Sequence, residues 1–168
     1  MNLVIKKSKI PNAGKGLYTT EPIKRGDQVI EYTGDIITWA ECRKRNETLD
    51  GIGAYYFYVS DRKCVDAQNH LDSLARYAND AAGLVRIEGI RNNSRFEVIK
   101  GKPFIIASRN IKAGEEIFVA YGKEYWQAMK ENGFDPTHKK KKGKESKLEK
   151  PVHEHHLVPK REAAKHPH

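Results

Sequence analysis

The chain has 168 residues and a formal net charge of +9, which is concentrated at the C-terminal end. Residues 138–168 contain ten Lys or Arg, four Glu and six of the seven His, so residues 1–137 carry a net charge of only +3. The sequence has no apolar run near the roughly 18 residues of a membrane span, and its charged start is unlike a secretory signal.

These features predict one folded domain in residues 1–137 and a cytoplasmic protein, or a nuclear one in a eukaryotic setting. Residues 138–168 are rich in His and Lys and lack the apolar residues that would offset the entropy cost of ordering. We therefore expect them to form a basic, disordered tail.

Short strands dominate the predictions for the first part of the chain. The segment "LVIKKSKI" predicts a strand, "PNAGKG" a turn, and "LYTT" and "QVIEYT" two more strands separated by turn signals at Pro22 and Gly26. Thr38 and Glu41 fit a capping box, which predicts a helix to about Leu49.

The following segments continue this pattern of short elements. We expect a hairpin from "AYYFYVS" and "KCVDA", a short helix in "HLDSLARYAN", strands "RFEVI" and "PFIIASRNI" around Lys100-Gly101, and a last strand "EIFVAY". A closing helix is predicted at about 123–133. Strands and helices do not alternate regularly, so the fold should be mainly β with short helices rather than a doubly wound parallel sheet.

Cys42 and Cys64 are the two cysteines of the sequence. Two cysteines alone cannot provide the four ligands of a structural zinc site. Without an export signal, free thiols are favoured over a disulfide. The sequence therefore predicts two free thiols and no metal site.

Three motifs have both a functional and an ordinary interpretation. Gly14-x-Gly16 lets backbone approach a ligand closely, yet no long helix follows it, and a plain turn is the favoured interpretation of this motif taken alone. Asn79-Asp80 is either a polar helix end or a ligand-binding loop. Tyr121, at the end of the last predicted strand, is either core packing or a functional phenol.

Taken in order along the chain, these motifs resemble the SET-domain protein lysine methyltransferases. Residues 13–37 look like the family's glycine motif and its E-Y-x-G-E-I-I stretch, with Asp35 in place of the usual Glu. The segments "YYFYVSDRKCVDA", "LARYAND" and residues 94–122 are similar to three further family blocks, the last ending in the terminal tyrosine. The resemblance covers about residues 1–127.

Two departures from the family pattern stand out. Asp80 occupies the position of the family's histidine, and "AAGLVRIEGIRNNS" replaces the usual Ser-Cys-x-Pro-Asn, with Asn93 as a candidate for that final Asn. The cysteine-rich segments that flank many eukaryotic members are also missing from this sequence, which resembles small bacterial or viral members more closely.

The resemblance implies a SET-domain fold with several small β-sheets around a pseudoknot near the C-terminal end of the domain. In such a pseudoknot the chain is threaded through a loop, which would bring the Asn79 segment and the Tyr121 segment together. It also implies S-adenosylmethionine as the methyl donor and a protein lysine as the acceptor. Tyr121 and Tyr32 would be catalytic, and Tyr32, Tyr56 and Val119 would line the lysine channel. The implied cofactor-binding residues are Lys15, Gly16, Leu17, Tyr55, Asn79, Asp80, Tyr121 and Trp126.

An alternative hypothesis is a catalytically weak SET-like binding module whose basic tail binds nucleic acid. It depends on the Asp80 departure and the "KKKKGK" run, whereas Tyr121 and the glycine pair favour an enzyme. The expected partner of the enzyme is a lysine-containing protein, histone-like or otherwise basic. Nucleic acid is a candidate partner of the tail, and no membrane association is expected. The substrate, the methylation state and the oligomeric state stay open.

Overall fold

The computed structural model describes residues 2–48, 55–83, 86–123 and 156–157. Its elements, in chain order, are β1 Leu3–Lys7, β2 Lys15–Thr19, β3 Gln28–Glu31, β4 Asp35–Ile37, α1 Trp39–Thr48, β5 Tyr56–Ser60, β6 Lys63–Asp66, a 3₁₀ helix Leu74–Tyr77, β7 Ser94–Ile99, β8 Lys102–Ala107, β9 Glu116–Ile117, β10 Val119–Ala120 and β11 His156–Leu157. The predicted mainly-β class with short helices is confirmed.

The chain forms two compact units. The first comprises Met1–Thr33 and Leu71–Tyr121, and the second comprises Gly34–His70 and Gly122–His168. The first unit contains the sheets β1-β2-β9 and β10-β7-β8-β3, and the second contains the sheet β11-β5-β6-β4 together with α1. The strands therefore form several small sheets rather than a single large one, as expected.

The β7–β8 hairpin of the first unit follows the local sequence signals. Its register pairs Ile99 with Lys102, so Lys100 and Gly101 form a two-residue turn. Both residues have positive φ, 51° and 78°. Two consecutive positive φ values are typical of a type I′ turn, whose twist matches that of the flanking strands.

The predicted last strand, 116–121, is in fact two strands in different sheets. β9 pairs with β2, whereas β10 runs parallel to β7. The division occurs at Phe118, whose N–H donates to Asn93 Oδ1 at 3.0 Å, while Asn93 Nδ2 donates to Glu116 O at 2.9 Å. Because a side-chain amide takes over the hydrogen bonds of a strand partner here, the chain can change sheets without leaving buried backbone groups unpaired.

The same segment contacts the predicted ligand loop. Asn79 forms an isolated parallel bridge with Phe118, and Val119 N–H donates to Asn79 O at 2.8 Å. The structure therefore brings together the two segments that the resemblance assigns to a pseudoknot. The threading itself stays a prediction.

The second unit packs α1 against the β5–β6 hairpin. Thr38 Oγ1 accepts a hydrogen bond from Glu41 N–H at 3.1 Å, so the predicted N-cap is confirmed. Cys42 and Cys64 are free thiols, buried in one cluster with Tyr56 and Tyr58.

A two-residue strand, β11, lies within the predicted tail. His156 pairs with Tyr58 and Leu157 with Phe57, both antiparallel. The remainder of residues 138–168, the predicted boundary at 137 and the predicted helix beyond Lys123 lie outside the described residues. Within the described ranges, no helix is long and apolar enough to cross a membrane.

Candidate functional site

Tyr121 follows β10 directly and is held at both its main chain and its side chain. Its phenol hydroxyl donates to Ala78 O at 2.5 Å, and its backbone N–H donates to Asp80 Oδ2 at 2.9 Å. The residue is half-buried. A phenol that donates its proton in this way can act only as a hydrogen-bond acceptor toward a further group.

An aromatic row extends from this tyrosine into the first unit. The Tyr121 ring stacks on Phe96 with centroids 6.4 Å apart, and the rings of Phe96 and Tyr32 form a T-shaped pair with centroids 6.1 Å apart. Tyr32 is buried, and its backbone N–H donates to Pro103 O at 2.8 Å. The two predicted catalytic tyrosines thus contact the same side chain, which gives this part of the unit an apolar, rigid wall.

Asn79 connects the site to the glycine motif. Its Nδ2 donates to Lys15 O at 3.0 Å, while its own carbonyl accepts from Val119. Asn79 is therefore in direct contact with two other predicted site residues, Lys15 and Val119. Lys15 and Gly14 are exposed, and a Cβ atom added at Gly14 would meet no atom within 4 Å.

Gly16 and Leu17 have structural roles that the sequence did not reveal. A Cβ atom at Gly16 would collide with the Glu116 carboxylate, so any larger residue there would force this buried carboxylate to move. Leu17 is fully buried in the central strand β2, paired with Ile5 on one side and Ile117 on the other. Their predicted roles in cofactor binding stay predictions.

Asp80 is largely buried, with 9% of its surface exposed. Its Oδ1 accepts from Ala82 N–H and from Asn92 Nδ2, both at 2.8 Å, and its Oδ2 accepts from Tyr121 N–H. The residue that departs from the family pattern therefore has partners of its own in the segment that replaces the usual family sequence.

Tyr55 and Tyr56 belong to the second unit. The carbonyl of Tyr55 accepts from Ala67 N–H at 2.9 Å. Tyr56 is fully buried beside Cys42, and no group of the described chain hydrogen-bonds to its hydroxyl. Burial raises the pKa of the Tyr56 phenol.

Val119, a predicted channel residue, is fully buried in β10. Trp126 lies outside the described residues. Sequence reasoning missed the contributions of Phe96, Ala78 and Glu116. The apolar position of Phe96 in a strand was a usable signal, but no local pattern marks the carbonyl of Ala78 or the carboxylate over Gly16.

Comparisons with known proteins point to one family. The family profile of the SET domain matches residues 14–122. An N-lysine methyltransferase named KMT5A-A from Danio rerio is 33% identical over 121 residues, which cover 67% of this chain and 33% of the relative. A histone-lysine N-methyltransferase, H3 lysine-4 specific, from Schizosaccharomyces pombe is 35% identical over 115 residues, covering 63% of this chain and 11% of the relative.

A solved structure supports the fold. The methyltransferase domain of human PR domain-containing protein 2 matches with a TM-score of 0.52 and 20% identity, covering 73% of this chain and 78% of that one. The similarity includes most of both chains, whereas the chain spans about a third or less of the curated relatives.

Proposed function

Because the chain belongs to the SET-domain family, we propose that it transfers a methyl group from S-adenosylmethionine to the side-chain amine of a protein lysine. The observation that carries this proposal is the attachment of Tyr121 to the Ala78–Asp80 segment by its hydroxyl and its backbone N–H. A phenol fixed at two points is suited to a task that depends on alignment.

The acceptor amine must be neutral to attack. A lysine with a pKa of about 10.4 is neutral in about one molecule per thousand or fewer near pH 7, and an apolar wall disfavours the charged form further. Phe96 and the ring of Tyr32 provide apolar surface beside Tyr121. The Tyr121 oxygen, acting as an acceptor, would hold an N–H of the amine and so direct its lone pair.

S-adenosylmethionine would supply an electrophilic methyl group on a positively charged sulfur. The ammonium group of the exposed Lys15 would bind its carboxylate, and Asn79, hydrogen-bonded to Lys15 O, would hold the start of β2 in place. The oxygens of Tyr121 and Ala78 would accept weak C–H hydrogen bonds from the methyl group. Trp126 is proposed as an aromatic cover on the adenine.

Tyr56 is proposed as part of the lysine channel. A fully buried hydroxyl without a partner is costly, and such groups commonly mark a position that a ligand or water completes. Its packing beside Cys42 and Cys64 holds the ring rigidly. As the resemblance implies, Tyr55 is proposed to border the cofactor and Val119 to line the lysine channel.

The proposed substrate is a lysine-bearing, basic protein. The names of the relatives cited above include a histone-lysine methyltransferase, which supports a histone or a histone-like protein as the first candidate. We place contact with nucleic acid in the basic tail rather than in the site. Labelled methyl transfer into host proteins and purified histones, followed by mass spectrometry, would identify the acceptor.

The catalytic role of Tyr121 is tested by Tyr121→Phe. Loss of the hydroxyl should lower the single-turnover rate by about 10²-fold, with the affinity for S-adenosylmethionine unchanged within a few-fold because the ring remains. Tyr18→Phe is a matched control, since its hydroxyl also donates to a backbone carbonyl, Lys7 O, at 2.6 Å.

Tyr18→Phe should retain the rate. A Tyr121→Phe variant with the wild-type rate would reduce Tyr121 to core packing. Failure of the wild-type protein to bind S-adenosylmethionine at millimolar concentration would overturn the enzymatic proposal as a whole and favour a binding module.

A further inference from the structure

The carboxylate of Asp80 connects two parts of the first unit that are far apart in sequence. One oxygen accepts from Ala82 N–H and Asn92 Nδ2, and the other accepts from Tyr121 N–H. The residue is largely buried. Hydrogen bonds to a carboxylate that is shielded from water are stronger than those between neutral groups.

The hydrogen bond between Tyr121 N–H and Asp80 lies directly after the last paired residue of β10. The parallel pairing of β10 with β7 joins Val119 to Ser94 and Ala120 to Arg95. At Tyr121, the next residue, the acceptor is the Asp80 side chain rather than a strand. Asp80 therefore extends the fixed part of the backbone by one residue, to the position of the phenol.

The side chain of Tyr121 is tied to the same short segment. Its hydroxyl donates to Ala78 O. The carbonyl of Asn79, which lies between Ala78 and Asp80 in the chain, accepts from Val119 N–H. The backbone and the hydroxyl of Tyr121 are thus both fixed to residues 78–80. A shift of the backbone at Tyr121 would move the phenol oxygen relative to Ala78, Asn79 and Lys15.

We propose that Asp80 is a positioning residue that holds the backbone of Tyr121 and thereby aligns its hydroxyl for methyl transfer. The inference rests on the proposed function for its catalytic consequence. A carboxylate has two oxygens, so it can accept hydrogen bonds from Tyr121 on one side and from Ala82 and Asn92 on the other. An amide has one accepting oxygen, so Asp80→Asn would turn an NH₂ group toward either Tyr121 N–H or the donors of Ala82 and Asn92.

The experiment compares Asp80→Asn with Asn92→Ala in the full-length protein. Asn92→Ala removes the hydrogen bond from Asn92 Nδ2 to the same carboxylate, together with the one that Asn92 Oδ1 accepts from Ala81 N–H, but leaves the contact with Tyr121. Three quantities are measured: hydrogen exchange of the Tyr121 amide, with the Val119 amide as internal reference, the single-turnover rate of methyl transfer, and the KM for S-adenosylmethionine.

Asp80→Asn should accelerate exchange at Tyr121 by about 10-fold or more relative to Val119, since a buried hydrogen bond is removed. The methyl-transfer rate should fall by about 10²-fold, as expected for misplacement of a reacting group, with the KM changed only a few-fold. Asn92→Ala should leave the Tyr121 amide protected and the rate within a few-fold of wild type.

Equal decreases of the methyl-transfer rate in both variants would overturn the proposal, because Asp80 would then act only by stabilising the segment around Asn92. Faster exchange at Tyr121 with an unchanged rate would also overturn it. If Asp80→Asn does not fold, Asp80→Glu replaces it, and the displaced carboxylate should lower the rate at unchanged KM. A wild-type rate in that variant would contradict the positioning role.

The two proposals fail in different ways. If the wild-type protein transfers no methyl group, the proposed function is wrong and the catalytic consequence of Asp80 fails with it. The exchange measurement still decides whether Asp80 holds Tyr121. Unchanged protection of the Tyr121 amide in Asp80→Asn would overturn that attachment whatever the activity.

Discussion

Glu116 lies over Gly16 with both carboxylate oxygens engaged. Ser8 Oγ donates to one oxygen at 2.6 Å and Lys9 N–H to the other at 2.8 Å. Gly16→Ala would force this buried carboxylate to move. We expect the variant to lose about 1–3 kcal/mol of stability, as overpacked sites do, measured from the urea unfolding midpoint.

A double-mutant cycle tests this cause. In a Glu116→Ala background, the added methyl group at Gly16 should cost much less, because the colliding carboxylate is gone. An equal cost in both backgrounds would show that the collision is not the reason. If Gly16→Ala instead keeps its stability and loses affinity for S-adenosylmethionine, Gly16 acts directly in cofactor binding.

At the scale of the elements, the β7–β8 turn contains one residue in an unfavourable backbone conformation, which a substitution can relieve. Lys100 has a φ of 51°, a left-handed conformation that Asn adopts more readily than Lys. Lys100→Asn should therefore stabilise the protein by about 0.5–1 kcal/mol, seen as a rise in thermal midpoint. Lys102→Asn is the charge-matched control on the adjoining strand, where Asn is disfavoured, and a similar rise in both variants would contradict the explanation.

An ion-pair network joins β4, α1 and β6 in the second unit. Arg45 contacts Asp35, Glu41 and Asp66, and His70 contacts Asp35 at 2.8 Å. The hydrogen bonds from Arg45 and then from His70 hold the pKa of Asp35 below its ordinary value. A lowered folded-state pKa means that the stabilisation is present above the unfolded pKa, about 3.9, and is lost as the pH falls through the folded value.

We expect the protein to lose stability below about pH 4, and protonation of Asp35 should account for part of this loss. Urea unfolding midpoints at pH 5 and at pH 3 should differ less in Asp35→Asn than in the wild-type protein, since the variant lacks the titrating carboxyl. An identical difference in both proteins would show that Asp35 does not contribute.

Local signals predicted most elements, and long-range contacts explain the errors. The Thr38 cap and the Lys100-Gly101 turn depend on a few adjacent residues, and both are present. The division of the last strand at Phe118 depends on Asn93, a residue 25 positions away. Hydrophobic periodicity contains no information about such a partner.

The same distinction applies to the candidate site. The resemblance singled out Tyr121 and Asn79, and the structure joins them through the Ala78–Asp80 segment. The resemblance assigned Gly16 to cofactor binding, because glycine motifs often bind a ligand. Packing against Glu116 also explains why a glycine occupies this position. A contact between residues that are about 100 positions apart cannot be read from the spacing of a motif.

At the scale of the whole molecule, the uneven distribution of charge suggests a second binding surface, for a polyanion. Residues 139–142 are four consecutive lysines in the tail. If they bind duplex DNA, replacing all four by Gln should weaken binding and lower the slope of log K against log salt by about 0.9 for each phosphate that is no longer neutralised. The tail histidines should strengthen binding below about pH 6.5.

Substitution is preferable to deletion here, because deleting the tail would also remove β11 and its pairing with β5. A matched control replaces four exposed lysines elsewhere by Gln, namely Lys24, Lys44, Lys102 and Lys112. Both variants have the same reduced charge, so a general electrostatic attraction would weaken equally in the two. DNA titrations at low and moderate salt should show a larger decrease in affinity for the tail variant, and equal affinities for the wild-type and tail variants would rule out docking through these lysines.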